Sequence, residues 1–238
     1  MENTIVKGQG KKLAEAFFGK SKMPVYEKPK CKIRQLIPML QELCALEEID
    51  WYKYMFSRDP LNGKFNDLQR KNWARQAIAC GEACALQVRE QYGTTDIKTL
   101  AEKMGLKVNY PDFPEKTDRV LFAQYREPDE ISIFMDAVHK AQRMLKDSEV
   151  RELLTEKLDV ADLLLAHEVF HRIEDKYADS IYTRTEKIRL FTLGPFHNDS
   201  TILAVSEIAA MSFARSMTGI PYSSCVMDVF LVYGYSKE

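Results

Sequence analysis

Two histidines four residues apart, led into by an apolar run, constrain this chain more than any other feature. The stretch reads Leu163-Leu164-Leu165-Ala166-His167-Glu168-Val169-Phe170-His171. On a helix, side chains four apart share a face, so both imidazoles can grip one metal ion. Glu168 sits about 100° round from His167 at 3.6 residues per turn. That puts it at the flank of the face, within reach of a metal-bound water without being a ligand. This is the arrangement of a zinc hydrolase, with two imidazole ligands and a carboxylate as general base. The plain alternative is a pair of helix-face histidines satisfied by surface carboxylates. The apolar lead-in argues for a buried helix, where imidazoles without partners are costly.

Apolar residues make up 45% of the 238 residues and charged residues 29%, with a net charge of -1. These are values of a soluble globular protein, with no general attraction to nucleic acid or acidic membrane. No apolar run approaches the roughly 18 residues of a membrane span, and the N-terminus lacks a signal-peptide pattern. The cysteines, Cys31, Cys44, Cys80, Cys84 and Cys225, form an odd and scattered set. They predict reduced thiols and a cytoplasmic location. Cys80 and Cys84 share a helix face and read as small core residues.

Residues 1–34 carry nine Lys or Arg against three Glu. This reads as a solvated extension rather than a nucleic-acid arm, because aromatic or motif context is missing. The spacing of Leu36, Leu40, Leu43 and Leu46 predicts a helix from Ile33 to about Met55. Asp59-Pro60-Leu61-Asn62-Gly63 is turn chemistry and ends that segment. Residues 66–91 form the clearest amphipathic helix. Its face of Ala74, Ala77, Ile78, Gly81, Cys84, Ala85 and Val88 is small enough for another helix to approach closely. Gly93 closes it. Thr95 caps a short helix that ends at Gly105, and residues 106–110 alternate as a strand. Residues 120–125 and 131–135 flank Pro128 as a hairpin, giving a small sheet of about three strands. Helices follow at 136–147, 149–157 and 159–178. Residues 192–200 read as a loop before a last long helix over 200–217. The expected fold is therefore α+β and mainly helical, with an N-terminal, partly helical extension (residues 1–65) preceding a domain over 66–238.

Two imidazoles do not hold zinc tightly, so a third protein ligand is expected. Glu174 and Asp175 lie beyond His171 on the same helix, where they suit supporting or surface positions. Glu207 is the best candidate. Leu203, Ala210, Met211 and Ala214 place it within a small, apolar stripe, where a carboxylate needs a partner. His197, in a Gly-Pro loop, is the rival, and His139 is weaker. An oxyanion helper could come from Tyr177, Tyr182 or His197.

The order of five pieces resembles the ImmA/IrrE family of zincin-like metallopeptidases over about residues 70–220. The pieces are Tyr92-Gly93, Leu100-Ala101-Glu102-Lys103-Met104-Gly105, the hairpin, Ala166-His167-Glu168-x-x-His171, and Glu207-x-x-Ala210-x-x-Phe213-Ala214. The resemblance implies a zincin-like metallopeptidase domain with Zn2+ held by His167, His171 and Glu207, and Glu168 as catalytic base. It also implies a protein or peptide substrate, since some family members cleave a DNA-binding repressor, a transcriptional regulator. The His171-to-Glu207 spacing is longer here than is usual in the family, and no helix-turn-helix pattern accompanies the domain. A reading from a different class is a metal-bearing binding or sensor module that does not cut its partner.

Overall fold

The computed structural model describes residues 35–114, 120–156, 158–194 and 196–235. The basic stretch 1–34, with Cys31, lies outside the described residues. The described residues belong to a compact unit that begins at Gln35. It is mainly helical α+β, with ten helices, a three-stranded mixed sheet and a two-stranded hairpin among the described residues.

In place of one helix to Met55, the chain makes α1 (Leu36–Cys44), a 3-10 turn at Glu48–Trp51 and α2 (Tyr52–Ser57). The break follows from a capping box, in which Glu47 N–H donates to Asp50 Oδ2 at 3.0 Å. That local exchange satisfies the backbone better than a continued helix. Leu40, Trp51, Met55, Phe56 and Phe65 of this segment are buried in the same core as the rest of the unit. Phe65 meets Trp73 edge-on at 5.1 Å between ring centroids, which fixes the segment to the following helix.

That helix, α3 (Asp67–Tyr92), begins with a reciprocal cap. Gln69 N donates to Asn66 Oδ1 and Asn66 N to Gln69 Oε1, both at 2.9 Å. It ends at Gly93, whose φ of 62° is a left-handed value that glycine adopts without strain. Next comes α4 (Ile97–Lys103), capped by Asp96 rather than Thr95, because the Asp96 carboxylate accepts the Thr99 N–H at 2.7 Å.

The sheet consists of β1 (Lys107–Asn109), β2 (Ala123–Arg126) and β3 (Glu130–Ile133), in the order β1-β3-β2. β1 runs parallel to β3, and β2 pairs with β3 antiparallel, Tyr125 facing Ile131. β2 is thus an edge strand. Two helices, α5 (Met135–Met144) and α6 (Ser148–Leu153), lead to α7 (Val160–Lys176). Asp159 starts α7 by accepting the N–H groups of Ala161 and Asp162.

Past α7 come α8 (Tyr182–Thr185) and then a second hairpin, β4 (Lys187–Leu193) with β5 (Phe196–Thr201). The expected loop over 192–200 is therefore a strand pair. Gly194 turns it with φ 58°. β5 is exposed almost throughout, so no apolar face marks it in the sequence. α9 (Leu203–Thr218) follows and ends at Gly219, φ 71°. It is not the last helix. α10 (Cys225–Tyr235) is buried on nearly every face against α5 and α1, so its apolar residues carry no helical period.

α9 packs between α3 and α7, and α7 also lies against β2 and β3. The close approach of α3 to α9 depends on Gly81. A Cβ there would sit 2.2 Å from the Ala209 carbonyl oxygen and 2.9 Å from Phe213 N, both backbone atoms that cannot swing aside. Gly81→Ala is accordingly expected to cost about 1–3 kcal/mol by overpacking. A thermal melt that leaves Tm unchanged in this variant would contradict the packing.

Candidate metal centre

α7 aims His167 and His171 from successive turns at one point. Their Nε2 atoms are 3.2 Å apart, with the rings edge-to-face. Glu207 reaches the same point from α9. Its Oε2 is 3.3 Å from His167 Nε2 and its Oε1 3.8 Å from His171 Nε2. One ligand atom from each residue lies within 4.8 Å of the others, so the three could hold a metal ion. Neighbouring donors around a tetrahedral ion with bonds near 2.0–2.1 Å are separated by about 3.3–3.4 Å. The His167–His171 and His167–Glu207 spacings match that, the His171–Glu207 distance is somewhat longer, and two imidazoles with one carboxylate form a donor set proper to zinc.

Two devices bring Glu207 there. Ala204, Ala210 and Ala214 are buried, which lets α9 settle close to its neighbours. Phe213 and Phe170 meet across the interface at 5.7 Å between centroids. The start of α9 is held from outside. The Ala204 N–H donates to Asp59 Oδ2 at 2.9 Å, while the other oxygen of Asp59 accepts the Leu61 N–H at 2.7 Å. Asp59 is only 6% exposed, so this cap anchors the Glu207 helix to the segment after α2.

His171 is oriented from behind. Its Nδ1 lies 3.5 Å from Glu174 Oε2, at the outer limit of a hydrogen bond. Glu174 is 2% exposed. It also accepts from Ser206 Oγ at 2.9 Å and faces Arg184 Nη2 at 3.3 Å. With its proton on Nδ1, His171 turns the Nε2 lone pair into the centre. Asp175 pairs with Arg184 instead, at 2.5 Å.

Glu168 is buried in the wall of the centre, and its Oε2 accepts the Tyr125 N–H of β2 at 2.7 Å. The outer edge of β2 therefore faces α7. A cleft of about 1230 Å³ opens over these groups, lined among others by Arg58, Tyr125, His167, Glu168, His171 and Glu207. His197 is not in the cluster. It sits half-exposed on β5, 3.5 Å from Asp199. His139 is exposed on α5. Neither Tyr177 nor Tyr182 lines the cleft. What the sequence reading missed is the contribution of Arg58, Asp59 and the Tyr125 backbone. The Asp-Pro turn signal marked the place of Asp59, but nothing local says what a turn will cap.

The ionic balance follows from this crowding. Burial pulls the His171 imidazole down, but the Glu174 hydrogen bond and the charges of Glu207, Glu168 and Glu174 outweigh it, lifting the pKa to about 9. Burial pushes Glu207 up, but the His167 hydrogen bond and the His167, His171 and Arg58 charges bring it to about 2. In the metal-free protein the raised His171 value gives stability that is fully present below 6.5 and lost as pH rises through about 9. The lowered Glu207 value gives stability present above 4.5 and lost as pH falls toward about 2.

An incoming metal ion must displace the His171 proton. Titration calorimetry at pH 7 in buffers of different ionisation enthalpy should show release of about one proton per ion bound. Glu174→Gln should weaken zinc binding about 10–100-fold in competition with a chelator, since the partner of Nδ1 is altered. Unchanged affinity would mean that Glu174 does not orient the ligand. No family model, curated protein or solved structure matches the chain.

Proposed function

We propose that this chain is a zinc-dependent peptidase of the HExxH type, akin to the ImmA/IrrE metallopeptidases. The observation that carries the reading is the convergence of His167, His171 and Glu207 at the floor of an open cleft, with the Glu168 carboxylate in its wall. Zinc held by the three residues would supply Lewis acidity toward a water molecule and a peptide carbonyl.

The residues of the chain then divide the remaining tasks. Glu168 has one oxygen fixed by the Tyr125 N–H. Its other oxygen can take a proton from the attacking water and return it to the leaving amine. Glu174 holds His171 in the tautomer that offers Nε2 to the ion. The edge strand β2 lies beside the centre and its Ala123, Gln124 and Tyr125 line the cleft, so an extended substrate can lie along it at backbone groups other than the Tyr125 N–H, which Glu168 already takes. A cleft open along this strand suits a peptide or an unstructured protein segment, with a transcriptional regulator among the substrates to try.

The test has two parts. Purified protein should carry about one zinc per chain by elemental mass spectrometry and cleave a degenerate peptide library, with cleavage lost on chelation and restored by zinc. Glu168→Gln should bind zinc like the parent and lose at least about 100-fold in turnover, the scale of a general base. Full activity in that variant would remove Glu168 from the role. Zinc binding without cleavage by the parent would reduce the protein to a metal-bearing module.

A further inference from the structure

Arg58 stands at the end of α2, next to the Asp59 cap, in a part of the chain that the family resemblance does not reach. It lines the same cleft as the imidazoles. Its position relative to the centre follows from its neighbours. Asp59 binds the Ala204 N–H, and Ala204 lies three residues before Glu207 on α9, about 4.5 Å along the axis at 1.5 Å per residue. The charges of Arg58 and Glu207 are accordingly close enough to act on each other.

The guanidinium is held from one side. Nη1 donates to Asp228 Oδ2, and also to the Tyr54 hydroxyl at 3.2 Å. Tyr54 OH in turn donates to Asp228 Oδ2 at 2.6 Å. The guanidinium carbon lies 5.5 Å from the Tyr54 ring centroid. Both hydrogen bonds of the guanidinium use Nη1; Nη2 and Nε make none among the described residues. The side chain nevertheless remains 58% exposed, while Asp228 is 9% exposed. An arginine so fixed, half-exposed in the cleft and with donors left over, is an anchored fork for a planar anion. Arg184, which also lines the cleft, is already engaged by Asp175 and Glu174.

We propose that Arg58 is a substrate-binding residue that takes a carboxylate of the peptide, either an acidic side chain or the C-terminal carboxylate, in a subsite of the cleft that the metal centre shares. The proposal rests on the peptidase reading for its substrate class. It gives the N-terminal segment a role in choosing what enters the cleft.

Binding, not turnover, tests it. Zinc-loaded protein is titrated calorimetrically with two pairs of peptide hydroxamates, whose hydroxamate seeks the metal. One pair differs only as glutamate against glutamine in the side chain, the other only as C-terminal acid against amide. In at least one pair the acid should bind about tenfold or more tightly than its amide, the scale of a charge-assisted pair. The pair that discriminates tells which carboxylate is read. Arg58→Gln should bring the ratio to within about twofold. Because that variant strands the Asp228 carboxylate, Arg58→Gln with Asp228→Asn is titrated as well and should behave alike. Equal binding of acid and amide in both pairs, including no binding of any, overturns the proposal. So does an acid preference that survives in the double variant, or a loss of affinity equal for acid and amide. A protein that prefers acids but cleaves nothing would retain the Arg58 subsite and lose the peptidase reading; cleavage without acid preference does the reverse.

Discussion

The meeting of α9 with α7 is the contact on which everything else in this molecule depends. Two imidazoles on one helix define a direction but not a site, and only a carboxylate from a second helix closes it. Glu207 can arrive because α9 presents alanines to its neighbours and because Gly81 lets α3 press it from the opposite side. A side chain of ordinary size at that crossing would push the α9 backbone outward. Displacements of about 1 Å are already large on the scale of metal–ligand geometry. Helix packing and donor geometry are thus one constraint seen at two scales.

The charges around the centre reinforce the same assembly. Carboxylates of Glu168, Glu174 and Glu207 surround two imidazoles, and each is held by a different partner: the backbone of β2, the Ser206–Arg184 pair, and the histidines themselves. Such a concentration of negative charge in a partly buried site is unfavourable unless cations answer it. Arg184 and Arg58 give part of that answer, and a divalent ion held by His167, His171 and Glu207 would complete it. The strand, α9 and the N-terminal segment are therefore tied together through the ionic needs of the centre as well as through apolar packing.

Much of this was legible in the sequence, and the limits of legibility have physical causes. Local signals spoke clearly where a short stretch decides its own conformation. The Asn66 and Gly93 boundaries of α3, the strands around Pro128 and the small-residue faces all announce themselves through caps, turns and periodicity. Glu207 was legible because a carboxylate in an apolar stripe needs a partner. Other features depend on distant chain. Nothing at Asp59 tells that it will cap a helix that starts near residue 203, and nothing at Tyr125 tells that its N–H will meet Glu168. α10 escaped notice because burial on nearly every face erases the period that reveals a helix. β5 of the second hairpin escaped because it is exposed almost throughout, so no alternation is imposed on it.

That hairpin also accounts for the long sequence distance between His171 and Glu207. Lys187 pairs with Thr201, so the chain leaves and returns at neighbouring positions. Its length is an excursion closed upon itself, and it adds no span between the two helices that it separates. Residues could be inserted or removed at its tip without shifting either anchor point, which makes this the natural place to graft a reporter or affinity tag.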